Sequence, residues 1–387
     1  MKVLIVTNHM QVGGIQKSLL EILKALANCP QYDVSLFCCK KTGAFLSRIP
    51  KNIRILPENP YAVATEQALA ECKQQGLKYY FFRMVMSLWS KCFTKALPAA
   101  VLCKLIGKIG EEYDVAISYS QPIEDHAFCN LTNEIVLNCT RAARKVTFVH
   151  CDFGAYGGNT KRNRALYRKF DCIAAVSQSV GKRFAEIVPE VSEKIHTVYN
   201  FCDSNEIAQL ASQNPVCYKH KALVTVARLS EEKGILRCIP AFGRLKREAY
   251  DFEWHIVGGG PLRSAIEDEI ARCSLEENII LEGEQLNPYR YLQHADYLLL
   301  PSFHEAAPMV FDEASVLGIP ILTTDTLSAK ELVTGRSAGT VCENHPEALY
   351  RMLEEALRSP KKKINPALPD QSLRMKQFDA LCGFKEL

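Results

Sequence analysis

The chain has 387 residues, 48% hydrophobic and 23% charged, a globular balance that excludes disordered, collagen-like and coiled-coil architectures and suits two domains. Its formal charge is only +4, yet residues 1–200 hold 26 Lys/Arg against 16 Asp/Glu, net +10, while residues 201–387 hold 21 against 27, net −6. That asymmetry turns the first half toward something anionic, a membrane surface or a phosphorylated substrate.

Met1-Lys2-Val3-Leu4-Ile5-Val6-Thr7 is too short an apolar run for a signal peptide and leads straight to Gly13-Gly14, so it reads as a buried first strand. Further short β-branched runs follow at Val34–Phe37, Ile53–Leu56, Val115–Ser118, Val146–Val149 and Ile173–Val176. Helical stretches separate them, the pattern of repeated β-α units around a parallel sheet. Residues 72–110 interrupt the series with seven Lys/Arg and no acid, interleaved with Tyr79, Tyr80, Phe81, Phe82, Trp89 and Phe93. A membrane-facing or acceptor-facing insertion and an ordinary helical excursion are both open there. Lys78 and Arg83 fall on different helical faces, so the cations form no clean amphipathic stripe.

The polar segment Asn200–His220, carrying Pro215, reads as a hinge. A second series then begins: Leu223–Val226, His255–Val257, Ile279–Leu281, Tyr297–Leu300 and Ile319–Thr323. Two consecutive doubly wound sheets result, with domains over residues 1–200 and 201–365. Residues 366–387 then form a helical tail that can return to the first domain, after a Lys361–Lys363 linker. Ligands of such sheets bind at the strands' carboxyl ends, so two sheets facing each other would enclose a cleft. The sixteen cysteines lie in apolar runs without any C-x-x-C, which fits free buried thiols in a reducing cytosol. No run of about 18 uncharged apolar residues occurs, leaving surface association as the only membrane option.

Chemistry concentrates in Leu300-Pro301-Ser302-Phe303-His304-Glu305-Ala306-Ala307-Pro308-Met309-Val310-Phe311-Asp312-Glu313. A strand ends there, and Pro308 suits the first helical position, which leaves the amides of Met309 to Phe311 to receive an anion. Glu305 and Glu313 beside such a site fit a ligand that joins phosphates to hydroxyls, a sugar nucleotide. Arg228 and Lys233 follow the Leu223–Val226 strand and suit phosphate oxygens, Arg228 bidentately and Lys233 as a point charge. Gly258-Gly259-Gly260-Pro261 is a strand-to-helix turn that admits a nucleotide, and Gly283-Glu284-Gln285 follows the next strand. His150 follows Val146–Val149 at the carboxyl edge of the first sheet.

The E-x7-E arrangement of Glu305 and Glu313, with Pro301-Ser302 before it and Leu317-Gly318-Ile319-Pro320 and Glu331 after it, resembles the retaining family-4 glycosyltransferases of the GT-B fold. Gly13-Gly14, the Arg228–Gly234 segment, Asn200-Phe201-Cys202-Asp203 and Phe148-Val149-His150-Cys151-Asp152 match in the same order, the last as in capsule-type members. The resemblance implies an α/β protein of two Rossmann-like domains facing a central cleft, the first acceptor-side and the second binding a nucleoside-diphosphate sugar, UDP-linked by preference. It implies a cytoplasmic hexosyltransferase for surface polysaccharide, with a lipid-linked or glycan acceptor, an anionic inner leaflet as a further partner and no nucleic acid. His150, Glu305, Arg228 and Lys233 would be catalytic. Gly13, Gly14, Gly258, Gly283, Gln285, Ala307, Pro308, Met309, Val310 and Glu313 would bind substrate, the 283–285 loop reading the base and Glu313 the ribose. The chain has no D-x-D, so neither a bridging metal nor any other cofactor is implied, and fixed cations would stabilise the leaving diphosphate. Phe201 departs from the family's usual glycine, and Ala306-Ala307 replace its glycine and phenylalanine, reshaping the sugar pocket. A nucleotide-sugar epimerase and a non-catalytic nucleotide-sugar-binding protein are the rival readings. A nicotinamide dehydrogenase lacks its glycine fingerprint after either first strand.

Overall fold

Short β-branched runs buried on both faces pack as parallel strands covered by helices. A computed structural model, which describes residues 1–122, 124–360, 363–365 and 370–384, contains two such sheets. The first holds β1 (Lys2–Thr7), β2 (Asp33–Cys38), β3 (Arg54–Ile55), β4 (Glu112–Ser118), β5 (Arg141–Val149), β6 (Cys172–Ala175) and β7 (Ile195–Thr197). Their order is β3-β2-β1-β4-β5-β6-β7, and all pairings are parallel. The second holds β8 (Lys221–Val226), β9 (Phe252–Val257), β10 (Ile279–Gly283), β11 (Tyr297–Leu300), β12 (Ile321–Thr324) and β13 (Gly339–Cys342). Its order, β10-β9-β8-β11-β12-β13, is again wholly parallel. The fold is therefore α/β with two doubly wound Rossmann-like sheets.

Each sheet winds one way from its first strand and then restarts on that strand's other side. The reversal falls between β1 and β4, and again between β8 and β11. Connections leaving the carboxyl ends diverge at such a switch point and leave a crevice for a ligand. Strands β7 and β13 add to the eleven runs read from sequence. Both lie at sheet edges and are only partly buried, so neither carries the apolar signature of an interior strand.

Contacts divide the chain into Met1–Phe201 with Gln371–Leu387, and Cys202–Asp370. The Asn200–His220 segment, read from sequence as a hinge, holds the division between the units and is partly helical. It contains a helix, Ser204–Ala211, whose first turn is capped by Asp203 accepting from the Glu206 amide at 2.9 Å. Ile207 and Ala211 bury its inner face. The proposed Lys361–Lys363 linker falls largely outside the described residues. Beyond it, the Gln371–Cys382 helix packs on the first unit, burying Phe378, Leu381 and Cys382. The Tyr32 ring meets Phe378 edge-on at 5.8 Å, the Tyr32 hydroxyl donates to Asp379, and the Tyr199 amide donates to Gln377 Oε1 at 3.2 Å.

In the second unit Trp254 is fully buried against Phe242, with ring centroids 4.7 Å apart. Its indole donates to Thr225 Oγ1 at 2.9 Å, and that hydroxyl donates to the Leu299 carbonyl at 2.6 Å. No polar atom of this interior chain is therefore left without a partner. All sixteen cysteines are free, and no described helix is long and apolar enough to cross a membrane.

Phe378 fills a site in the first unit's core, so Phe378→Ala is expected to cost about 3–5 kcal/mol there. Urea titration followed by hydrogen exchange should show earlier opening of peptides from 1–201 and an unchanged midpoint for peptides from 202–360.

Candidate functional site

Strands β8 and β11 are neighbours at the second switch point, so the connections that leave them meet. After β8 come Ala227, Arg228 and a 3-10 turn, Glu231–Lys233, which ends at Gly234 with φ 64. A side chain at Gly234 would overlap the Pro301 carbonyl, so this crossing of two backbones requires glycine. After β11, residues 301–308 lead to the Met309–Val316 helix. The Phe303 amide donates to the Glu232 carbonyl at 2.8 Å, and the Lys233 ammonium donates to Glu305 Oε1 at 2.5 Å. The buried Ser302 hydroxyl donates to the same oxygen at 2.9 Å. Both donors use Oε1, and no hydrogen bond to Oε2 occurs among the described residues.

Arg237, from the helix after Gly234, braces this loop. Its guanidinium donates to the carbonyls of Pro301 at 2.8 Å and Ser302 at 3.0 Å, and lies 3.7 Å from the centre of the Phe303 ring. Arg228 is exposed beside the turn. The Glu232 carboxyl titrates below its usual range: burial pushes it up, but the Ser230 hydroxyl, its own amide and the charges of Lys233 and Arg228 outweigh burial.

Pro308 caps the Met309–Val316 helix rather than starting it, with an extended ψ of 125. The Phe311 amide is taken by the Pro308 carbonyl at 3.2 Å, which reduces the expected three amides to those of Met309 and Val310. Ala307 and Pro308 are half-buried at this entry. Glu313 lies inside the helix, buried, with Oε1 accepting from the Tyr289 hydroxyl at 3.1 Å. At the neighbouring strand end Gly258, with φ 148, passes so close to the Ala227 carbonyl that a Cβ would overlap it. Its amide donates to the Gly283 carbonyl at 2.8 Å, and the Gln285 side chain donates to the Glu282 carbonyl at 2.7 Å. Arg228, Lys233, Gly258, Gly283, Glu305 and the start of the Met309–Val316 helix thus share the carboxyl end of one sheet.

Gly13, Gly14 and His150 lie at the carboxyl end of the other sheet. Gly13 precedes the Gly14–Ala27 helix in an extended conformation, φ 176, next to the first switch point. Ser18 of that helix lies 2.7 Å from the hydroxyl of Tyr119, which follows β4, and donates to Asn200 Oδ1 at 2.6 Å. Gln121 Oε1 accepts the amides of His150 and Cys151 at 2.8 and 3.0 Å, fixing the turn after β5. The imidazole packs against both Tyr119 and Phe148, at 4.7 and 5.5 Å, and those two rings touch each other. Burial pulls its pKa down to about 4, against the opposing effect of a hydrogen bond with the Tyr119 backbone. His150 is therefore neutral at pH 7, and its Nε2 is buried without a hydrogen-bond partner among the described residues.

Sequence reasoning missed Ser302, Arg237, Tyr289, Gln121 and Tyr119. Ser302 had a signal in its place at a strand end, three residues before Glu305. The others act across 24 to 101 residues of chain, where spacing gives no warning.

Residues 209–367 match the sequence model of the family described as glycosyl transferases group 1. A Campylobacter jejuni N-acetylgalactosamine-N,N'-diacetylbacillosaminyl-diphospho-undecaprenol 4-alpha-N-acetylgalactosaminyltransferase is 26% identical over 255 residues, 65% of this chain and 67% of that one. A colanic acid biosynthesis glycosyltransferase, WcaL, of Salmonella typhimurium is 34% identical over 145 residues, 35% and 36% of the two chains. The chain spans between 34% and 67% of the length of these and other curated relatives. Anabaena HepE in complex with UDP-glucose superposes with a TM-score of 0.67 at 17% identity, covering 99% of this chain and 97% of its own. The lipopolysaccharide outer core galactosyltransferase WaaB superposes with a TM-score of 0.64 at 16% identity, covering 98% and 99%. The architecture is shared with these proteins.

Gly234→Ala is expected to destabilise the second unit by about 1–2 kcal/mol from the left-handed backbone alone, with the Pro301 overlap adding to it. Differential scanning calorimetry of the two proteins checks this. His150 titrates near 4 when folded and 6.5 when free, so as pH falls the unfolded chain takes the proton first and stability is lost between those values. His150→Gln should flatten the pH dependence of the first unit's unfolding midpoint in that window. His9 and His196, lowered by burial as well, retain the remaining slope.

Proposed function

We propose that this chain is a group 1 glycosyltransferase. It moves a hexose from a nucleoside-diphosphate sugar, most simply UDP-linked, onto a lipid-linked or glycan acceptor in bacterial surface polysaccharide synthesis. The observation that carries the reading is the Lys233–Glu305 pair at the second sheet's switch point, where a cation suited to phosphate and a carboxylate suited to sugar hydroxyls share one loop junction. The group 1 match over the same unit and the polysaccharide-forming relatives support it. HepE, whose structures hold UDP and UDP-glucose, favours UDP.

Breaking the bond between anomeric carbon and phosphate oxygen puts negative charge on the departing diphosphate. Lys233, Arg228 and the amides of Met309 and Val310 stabilise that charge with groups fixed before reaction, which lowers the barrier without reorganisation. Lys233 exchanges part of its interaction with Glu305 for phosphate as donor enters. Glu305, with Oε1 held by Lys233 and Ser302, presents Oε2 to hydroxyls of the transferred sugar, and Glu313, fixed by Tyr289, addresses the ribose. Backbone at Gly258 and at 283–285 borders the nucleoside. The first unit serves the acceptor: Gly13-Gly14 allow close backbone approach, and neutral His150 shapes the neighbouring strand end. Attack on the face the diphosphate leaves retains the anomeric configuration, with a departing phosphate oxygen taking the acceptor proton. Fixed cations, not a metal ion, carry the electrostatic work.

Nucleotide-sugar thermal shifts followed by acceptor assays test the proposal. Lys233→Ala should weaken UDP binding by roughly 10- to 100-fold, the worth of a charged hydrogen bond. Glu305→Gln should leave UDP affinity within about threefold and lower turnover by roughly 10²–10³. Isomerised donor sugar formed without acceptor would instead identify an epimerase.

A further inference from the structure

Strand β10 lies at the edge of the second sheet, and only its first residue, Ile279, is buried. Beyond Ile279 the strand is held largely by polar side chains. Its pairing with β9 shifts by one residue between Leu281 and Gly283, so Glu282 is the extra residue of a bulge, a device that re-aims a side chain at a sheet edge. The Glu282 carboxylate turns toward β9, where Nδ1 of the His255 ring lies 2.7 Å from Oε1, while Oε2 accepts from the Tyr291 hydroxyl at 3.1 Å. The ring's Nε2 lies 3.3 Å from Glu253 Oε2, and Glu253 Oε1 accepts the amides of Lys219 and His220 at 2.9 and 3.0 Å. Tyr218 closes the cluster: its ring packs on His255 at 4.9 Å, and its hydroxyl donates to the Tyr291 carbonyl at 2.5 Å. His255 is only 7% exposed. Well-packed apolar residues would stabilise this edge at a lower desolvation cost, so stability alone does not account for the cluster.

Its place in the chain supplies the reason. Glu282 and Tyr291 stand at the two ends of the connection 283–290, and their hydrogen bond closes that connection at its neck. Within it, the Gly283 carbonyl accepts the Gly258 amide at 2.8 Å, and Gln285 donates back to the Glu282 carbonyl at 2.7 Å. At the far end, the Tyr289–Leu292 helix is too short to hold itself. It is fixed from outside: the Arg290 carbonyl accepts the Val216 amide at 3.0 Å, and the Tyr289 hydroxyl donates to Glu313 at 3.1 Å. One short turn therefore binds two carboxylates from different elements, Glu282 before the 283–285 loop and Glu313 in the Met309–Val316 helix. Two tyrosines, two residues apart, set the separation of loop and acid.

We propose that Tyr291, Glu282 and His255 are positioning residues for the nucleoside: by closing the neck of the 283–290 connection they fix the spacing between its backbone and Glu313, and with it the affinity for base and ribose but not for diphosphate. That role rests on the glycosyltransferase reading of this unit, in which the loop borders the base and Glu313 addresses the ribose.

Calorimetric titration of the full chain with UDP, and with pyrophosphate in competition with UDP, separates the two parts of the ligand. Tyr291→Phe and Glu282→Gln should each weaken UDP binding by about 3- to 10-fold, the worth of one hydrogen bond, while pyrophosphate affinity stays within about twofold. The double variant should lose no more than Glu282→Gln alone, because both substitutions remove the same bond. His255→Gln, which cannot face both carboxylates, should shift UDP affinity in the same direction. Unchanged UDP affinity in Tyr291→Phe and Glu282→Gln, even with a lower melting midpoint, overturns the proposal and leaves a stabilising cluster only. Equal weakening of UDP and pyrophosphate, the mark of a loosened unit, overturns it too, as does additive loss in the double variant. In each of these cases UDP binding by the parent chain still stands. Absence of UDP binding, or of competition by pyrophosphate, in the parent chain defeats the nucleotide site itself and the positioning role with it.

Discussion

Lys233 and Glu305 meet because two strands whose paired residues lie 74 positions apart, Leu298 beside Val224 among them, run side by side in register. Neither charge is well solvated, with side chains 23% and 10% exposed, so removing one partner leaves the other poorly compensated. The Ser302 hydroxyl, the Gly234 crossing and the Arg237 brace then serve one end, holding a carboxylate and an ammonium close where the sheet's connections diverge. In the function proposed above, a diphosphate entering here would compete for a cation already engaged. The pair thus fixes loop geometry in the free protein and sets the interaction a ligand must replace.

The first unit places a different chemistry at its strand ends. Instead of charge it holds a neutral imidazole against Tyr119 and Phe148, its Nε2 enclosed and without a hydrogen-bond partner among the described residues. Enclosure keeps the ring uncharged, which suits exchange of hydrogen bonds with hydroxyls better than attraction of phosphate. In the function proposed above, one sheet receives anion and carbohydrate together and the other a hydroxyl-bearing partner.

Much of this was readable in the amino acids because strands buried on both faces must be apolar throughout, and connections at their ends must carry whatever chemistry there is. Lys233 stood out by its position after a strand, whereas Glu305 and His150 were singled out by the family resemblance. Edge strands β7 and β13 escaped because half-burial removes the apolar requirement, and Ser204–Ala211 escaped because two buried positions in eight residues look polar. Arg237, Tyr289 and Gln121 were invisible for another reason. Each owes its role to a carbonyl, carboxylate or amide delivered by a distant segment.

The Gln371–Cys382 helix has a consequence for biosynthesis. The first unit's core includes Phe378 and Leu381, which leave the ribosome only after the whole of Cys202–Asp370 has been translated. Nascent β1 to β7 can pair beforehand, yet their packing stays unsealed until that distant segment arrives. Ribosome stalling within the second unit would therefore release a chain with an open apolar seam, a form that chaperones and proteases recognise readily.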